Sequence, residues 1–537
     1  MRRRPVEFRG TGRTGDSATG EHEPVGRPSM TQTARGSVEA SVGRTAGTSS
    51  EPTFESIDPR TGEVVGTHPI HDQEHVSEAV RTARDAQRWW EELGFEQRKR
   101  RLDAWRGLLV SRLDEAAELV AAETGKPMDD ARLEMVLVVD HLHWAAAKAR
   151  KVLGRRGVSA GLLMANQAAT VEYRPFGVVG VIGPWNYPAF TPMGSIAYAL
   201  AAGNSVVFKP SELTPGVGEW LRRTLAEVVP EHPVLQVVTG FGDTGTALCR
   251  AGADKVAFTG STETGKRVMA TCSESLTPVL VECGGKDALI VDSDADLSAA
   301  AEAAVWGAVS NAGQTCIGVE RVYVVDSVAD RFVELVLGRA EKLRAGGQST
   351  ADFGPITMGS QVEVIREHIA DATRSGGKNL LGGEDSVRPP YVDPVVLTDV
   401  PEDSAAVTEE TFGPTLVINR VRTAEEGVER ANAGRYGLGG TVFSRSRGME
   451  LARRMRSGMV AVNSVIAFAA VPALPFGGVG DSGFGRIHGA DGLREFARPQ
   501  AVTRSRFRMP IEPMSFGRPK SAVRNLVRLV RLVRGRR

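Results

Sequence analysis

Cys316 lies in the run Asn311-Ala312-Gly313-Gln314-Thr315-Cys316-Ile317-Gly318, where glycine and small polar residues replace a smooth apolar stripe. A buried cysteine is usually an inert small hydrophobe, so reading Cys316 as a nucleophile depends on what accompanies it. Glu282-Cys283-Gly284-Gly285-Lys286 follows an apolar run at 278–281. A carboxylate just past a buried strand must be solvated, paired or functional, and the two glycines let backbone approach a ligand. Pro184-Trp185-Asn186-Tyr187-Pro188 ends another such run, and its prolines fix a turn that presents the Asn186 amide. That amide serves either the turn itself or an oxyanion. Gly260-Ser261-Thr262-Glu263-Thr264-Gly265-Lys266 offers a helix N-terminus and backbone N–H groups to a phosphate. It is neither a Walker loop nor Gly-x-Gly-x-x-Gly, and such turns are also found as purely structural features. Lys209-Pro210-Ser211-Glu212 follows a strand-like run at the edge where open α/β sheets bind ligands. The Lys and Glu there suit ribose hydroxyls, or else open a capped, charged helix. A carboxylate near a ribose 2′-oxygen repels a 2′-phosphate, so Glu212 tilts the cofactor toward NAD over NADP.

These residues need a framework that brings distant segments together. Apolar residues at 79, 80, 83, 89, 90, 102, 105, 108 and 109 recur at helical spacing, and Gly125 with Pro127 marks a helix stop. Beyond them, short β-branched runs at 178–182, 205–208, 235–238, 256–258 and 278–281 alternate with stretches of helical length. A second set follows Cys316, at 322–325, 395–397, 416–418, 440–443 and 459–462. Val- and Ile-rich strands alternating with helices predict parallel sheets covered on both faces, hence an α/β fold with two doubly wound domains.

The chain has 537 residues and a formal net charge of +1, which predicts two or three globular domains and argues against nucleic acid as the main partner. Four irregularly spaced cysteines make no disulfide framework and fit a reducing cytoplasm. No Cys-x-x-Cys occurs, and His71 with His75 lacks the Glu and third ligand of a zinc site, so no metal is expected. Residues 1–52 read as a disordered tail without the apolar segment of an export signal, and Met30 offers an alternative start. At the other end, 509–537 reads as a basic amphipathic extension. Val523, Leu526, Val527, Val530 and Val533 line one helical face, Arg524, Arg528, Arg531 and Arg534 another, and no acidic residue follows Glu512. Such a helix suits peripheral contact with an anionic membrane, or packing on the protein itself or a partner subunit. Gly480-Asp481-Ser482-Gly483 spells a serine-protease tetrapeptide, but an α/β chain lacks the context that motif needs.

From about residue 54 to 506 the chain resembles the aldehyde dehydrogenase superfamily, with bacterial succinate-semialdehyde dehydrogenase-like members nearest in pattern. The resemblance rests on the motifs above in that family's order, together with Glu409-Glu410-Thr411-Phe412-Gly413-Pro414, Pro475-Phe476-Gly477-Gly478 and Ser482-Gly483-Phe484-Gly485-Arg486. It implies that Cys316 is the nucleophile, that the Asn186 amide and the Cys316 N–H hold the oxyanion, and that Glu282 is the general base. It further implies cofactor contacts from Trp185, Lys209, Glu212, Gly242, Ser261, Glu410 and Phe412. The expected reaction is oxidation of an aldehyde to the carboxylic acid through a thiohemiacetal and a thioester. Acylating relatives that pass the thioester to coenzyme A lack the base, so Glu282 favours hydrolysis; a non-catalytic protein on the same fold would have no need of all three groups. The resemblance divides the chain into a cofactor domain (53–152 and 176–283), a catalytic domain (284–498) and oligomerisation strands (153–175 and 499–508), implying a homodimer or homotetramer. Cys283 stands where the family usually has Leu, either as a second thiol that oxidants could link to Cys316 or as a small apolar filler.

Overall fold

The structure, a computed structural model, describes residues 52–348, 350–509 and 514–535. The expected N-terminal tail and its alternative start lie outside that range apart from Pro52. Five strands pair in parallel in the order Val279–Cys283, Lys255–Gly260, Val178–Ile182, Ser205–Lys209 and Leu235–Val237, and the short Gly483–Phe484 adds antiparallel to the first. The strands on either side of Val178–Ile182 follow it in opposite directions along the chain, so the topological switch point falls there. All of Val178, Val179, Gly180 and Val181 are buried, as strands covered on both faces must be.

A second sheet runs Lys378–Leu381, Val395–Thr398, Thr415–Val421, Val319–Val325, Asp287–Val291, Gly440–Phe443 and Ala461–Val462, parallel except for the first pair. Asp287–Val291 is an interior strand of this sheet, and the sequence pattern did not announce it. It begins only a few residues after Val279–Cys283 ends, so the chain crosses from one sheet to the other through Gly284, Gly285 and Lys286. The carboxyl edge of the first sheet therefore looks onto the amino edge of the second. The ligand crevice expected at one sheet's carboxyl edge is closed from the far side by the start of another.

The helical lead-in forms four helices, Gln73–Glu92, Gly94–Ser111, Leu113–Thr124 and Met128–Leu153. Gly125 ends the third in the left-handed region at φ 76°, its N–H donating to the Ala121 carbonyl at 2.9 Å. A Cβ there would lie 2.5 Å from Pro355, so glycine is required twice over. Gln167–Pro175 and Ala497–Ser505 pair with each other antiparallel along their whole length, with Arg156–Val158 on the far side. The outer edge of Ala497–Ser505 is left unpaired among the described residues, and its side chains are exposed from Arg498 onward.

Candidate active site

Cys316 sits between the helix Leu297–Val309 and the strand Val319–Val325, at the amino edge of the second sheet. It is reached through an unusual backbone: Asn311, Ala312 and Gly313 all take positive φ, at 53°, 56° and 72°. Ala312 has no side-chain route to that conformation, so neighbours must hold it there. Gln314 supplies the hold, donating to the Asn311 carbonyl at 3.0 Å and the Pro355 carbonyl at 3.1 Å, and accepting from the Thr357 N–H at 2.8 Å. A Cβ on Gly313 would stand 2.1 Å from the Gly413 carbonyl oxygen, and one on Gly285 would stand 2.6 Å from that of Cys316. The glycines of both motifs thus let three backbone segments converge on the cysteine.

Asn186 comes from the turn after Val178–Ile182. Its Nδ2 donates to the Gln314 carbonyl at 2.9 Å, which fixes the amide two residues before Cys316 and leaves one amide hydrogen uncommitted. The Tyr187 hydroxyl lies 3.0 Å from that of Thr315. Beneath the turn, a fully buried ion pair joins Lys126 to Glu134 at 2.7 Å. Lys126 also donates to the Asn186 carbonyl at 2.8 Å, and Glu134 accepts from the Ala189 and Phe190 N–H groups at 2.8 and 3.0 Å. The clamp ties the Asn186 turn to the helix Met128–Leu153. Sequence reading missed it, although Glu134 interrupts the buried series Ala131, Met135, Val138 at a core-facing position, which is the signal of a paired internal carboxylate. Lys126→Met strands that carboxylate, and thermal or urea unfolding is expected to show a loss of about 3–5 kcal/mol. Asn186→Ala, by contrast, is expected to leave stability near wild type and lower kcat by roughly 10²–10³-fold in a steady-state aldehyde assay.

Glu282 is buried, and neither of its carboxylate oxygens has a hydrogen-bond partner among the described residues. Burial pushes its pKa up to about 8; the Thr259 hydroxyl and the Cys316 thiol are near enough to moderate the shift without completing a hydrogen bond. Cys316 keeps some exposure, yet its thiol lies deep enough that burial raises its pKa well above the usual value, aided by Glu282, Glu410 and Asp287. Burial thus holds the thiol protonated, and the neighbouring Glu282 carboxyl can take up that proton only in its ionised form. Cys283 does not join this group. Adjacent strand residues point to opposite faces, and the Cys283 sulfur lies 3.1 Å from the place of a Gly265 Cβ, within an apolar cluster with Phe258, Val268 and Cys272. This placement fits the apolar-filler reading, and strand alternation turns Cys283 away from the face that Glu282 presents, which argues against the alternative of an oxidative link to Cys316.

The remaining predicted residues lie at the facing edges of the two sheets. Glu410 accepts from the Gly285 N–H at 3.0 Å, and its carboxylate stands 2.2 Å from where a Gly284 Cβ would be. Burial, with Glu320 nearby, pushes its pKa up to about 8. Phe412, at φ 51°, meets the Trp185 ring edge-on with centroids 5.6 Å apart, so residues from the two sheets touch across the crevice. A second buried pair, Lys286 with Glu320, holds this loop: Glu320 accepts from the Thr411 and Phe412 N–H groups at 2.9 and 3.0 Å. Along the carboxyl edge of the first sheet, Lys209 donates to the Pro210 carbonyl at 3.0 Å and lies 3.8 Å from the half-exposed Glu212. Gly242 opens the helix Gly242–Arg250 without a side-chain cap, and nothing lies within 4 Å of where its Cβ would stand, so the first N–H groups are open. Ser261 caps the helix Thr262–Ser273, accepting from the Thr264 N–H at 3.3 Å, and is itself exposed. An ammonium, a carboxylate, one uncapped helix start and one capped by an exposed serine along one edge fit the phosphates and ribose of a dinucleotide.

Comparison with known proteins agrees with this geometry. The chain is 36% identical over 481 residues to a 4,4′-diapolycopene aldehyde oxidase from Methylomonas sp., covering 88% of this chain and 90% of that protein. It is 36% identical over 456 residues to a Mycolicibacterium smegmatis protein named provisionally as a succinate-semialdehyde dehydrogenase [NADP(+)], covering 83% and 87%. The crystal structure of an NAD-dependent aldehyde dehydrogenase from Sinorhizobium meliloti superposes with a TM-score of 0.82 at 32% identity, over 86% of this chain and 93% of that one. Residues 46–502 match the model of the aldehyde dehydrogenase family, and the chain belongs to that family of NAD(P)-dependent oxidoreductases acting on aldehydes.

Proposed function

We propose that the protein oxidises an apolar aldehyde to the carboxylic acid by way of a Cys316 thioester that is hydrolysed. The observation that carries this reading is the nearness of the Cys316 thiol to a buried Glu282 carboxyl whose oxygens have no hydrogen-bond partner among the described residues. Cys316 loses its proton, which passes to solvent directly or by way of Glu282 and leaves that carboxylate ionised again, and its sulfur adds to the aldehyde carbon. The resulting oxyanion is stabilised by the uncommitted Asn186 amide hydrogen and the Cys316 N–H. A bound oxidised nicotinamide supplies the acceptor for the hydride that leaves this carbon. Glu282 then takes a proton from water as that water attacks the thioester, and the acid departs as the Cys316 sulfur is released. Trp185, Lys209, Glu212, Gly242, Ser261, Glu410 and Phe412 hold the dinucleotide. The cofactor domain ends and the catalytic domain begins where the chain crosses between the sheets.

Glu212 favours NAD, since a 2′-phosphate near its carboxylate meets like charge. The apolar preference rests on the position of Cys316, which packs at the margin of the main apolar cluster. The outer edge of Ala497–Ser505 supports a homodimer or homotetramer built by pairing that strand across subunits. The test is reduced-cofactor formation with NAD and NADP against aliphatic, aromatic and succinic semialdehydes, with and without coenzyme A. The reading requires faster turnover of apolar aldehydes with NAD, free acid as product and no response to coenzyme A. Equal turnover of succinic semialdehyde defeats the apolar preference, and an acyl-coenzyme A product defeats hydrolysis.

A further inference from the structure

The helix Lys520–Arg534 plays no part in the crevice and buries none of its residues. At about 100° per residue, Lys520, Arg524, Arg528, Arg531 and Arg534 fall within an arc of roughly 120° on its circumference. Ala522, Leu526, Leu529, Val530 and Val533 occupy the opposite side; Val527 falls inside the basic arc, which corrects its assignment from sequence spacing. Val523, Leu529, Leu532 and Val533 are exposed, Leu532 by 70%. Met514 and Phe516, just before the helix, are exposed as well. None of the helix's arginines has a carboxylate partner among the described residues, and the helix contains no acidic residue at all. No helix among the described residues is long and apolar enough to cross a membrane.

We propose that this helix docks the enzyme on an anionic lipid bilayer. It lies along the surface with Leu526, Leu529, Val530 and Val533 among the acyl chains and the arginines at the phosphate headgroups. The charge pattern selects this partner. A helix packed on a protein through its apolar face would leave its five cations in solvent, whereas a bilayer of acidic lipids engages both faces, with a continuous sheet of anionic oxygens beside an apolar layer. The exposed Met514 and Phe516 extend the apolar surface in the same segment. Docking brings the Cys316 crevice to aldehydes dissolved in the bilayer; that consequence rests on the apolar-aldehyde reading, whereas the docking itself does not.

The test is co-sedimentation of the full-length protein with vesicles of phosphatidylglycerol and phosphatidylcholine. Binding is expected to weaken as salt rises, to be absent from vesicles of phosphatidylcholine alone, and to vanish when residues 518–537 are deleted. Replacing Arg528→Gln together with Arg531→Gln is expected to lower the partition coefficient about 30-fold, since each basic residue near an anionic surface is worth roughly fivefold. Oxidation of a water-soluble aldehyde in the absence of lipid should be unchanged in both variants. Equal binding by the deleted and full-length proteins, or equal binding to neutral vesicles, overturns the proposal. So does a deletion that lowers the oligomeric mass with no vesicle binding by the full-length protein, which assigns the helix to a second copy of the chain.

Discussion

Cys316→Ser is expected to lower kcat/KM for aldehyde oxidation by roughly 10⁴-fold or more, the scale seen when a covalent nucleophile is removed. The hydroxyl is smaller than the thiol, is a far weaker nucleophile, and faces a base whose pKa of about 8 is too low to ionise it. Cofactor binding, followed by fluorescence or thermal shift, is expected to stay near wild type, because Lys209, Glu212, Gly242 and Ser261 belong to the other sheet and none of their contacts runs through residue 316. The contrast with Lys126→Met is informative. That change removes stability through a buried carboxylate, whereas Cys316→Ser removes chemistry and leaves the fold intact.

Glu282→Gln is expected to cut steady-state turnover by about 10²–10⁴-fold, the usual contribution of a positioned general base. The amide preserves size and cannot accept the proton of the attacking water, so the loss should fall on thioester hydrolysis. The pH dependence follows from the same residue. Glu282 acts as the carboxylate, and burial pushes its pKa up to about 8. Below that value the base is protonated and idle, so wild-type kcat is expected to rise with pH and level off above about 8. In Glu282→Gln that limb should disappear from the residual rate.

Most of the candidate site was legible in the sequence because it is written in short, local motifs. The turn at 184–188, the Lys209 edge and the Gly260-Ser261 helix start each follow a β-branched run, and the parallel sheet then puts all three on one edge. Cys316 and Glu282 could be named for the same reason. The strand Asp287–Val291 escaped notice because it follows Val279–Cys283 so closely that the two read as one apolar stretch broken by glycines. Its presence decides the architecture, since it carries the chain into the second sheet beside Glu282. The clamps were hidden more deeply. Lys126 and Glu134 are 8 residues apart and Lys286 and Glu320 are 34 apart, and nothing in composition says that their charges are spent on each other and on the backbone of the site loops. Cys283 shows the opposite error: adjacency to Glu282 in sequence suggested adjacency to Cys316 in space, and strand alternation reverses it.

The proposed chemistry runs through a thioester at Cys316 that water, activated by Glu282, hydrolyses. Its most direct test is rapid mixing of the Glu282→Gln enzyme with NAD and an apolar aldehyde, followed by mass analysis of the protein. The account predicts a burst of one reduced cofactor per active site, then near arrest, with the peptide containing Cys316 heavier by the aldehyde less two hydrogens. A burst-free trace with unmodified Cys316, or an acyl group carried on Cys283, would contradict it.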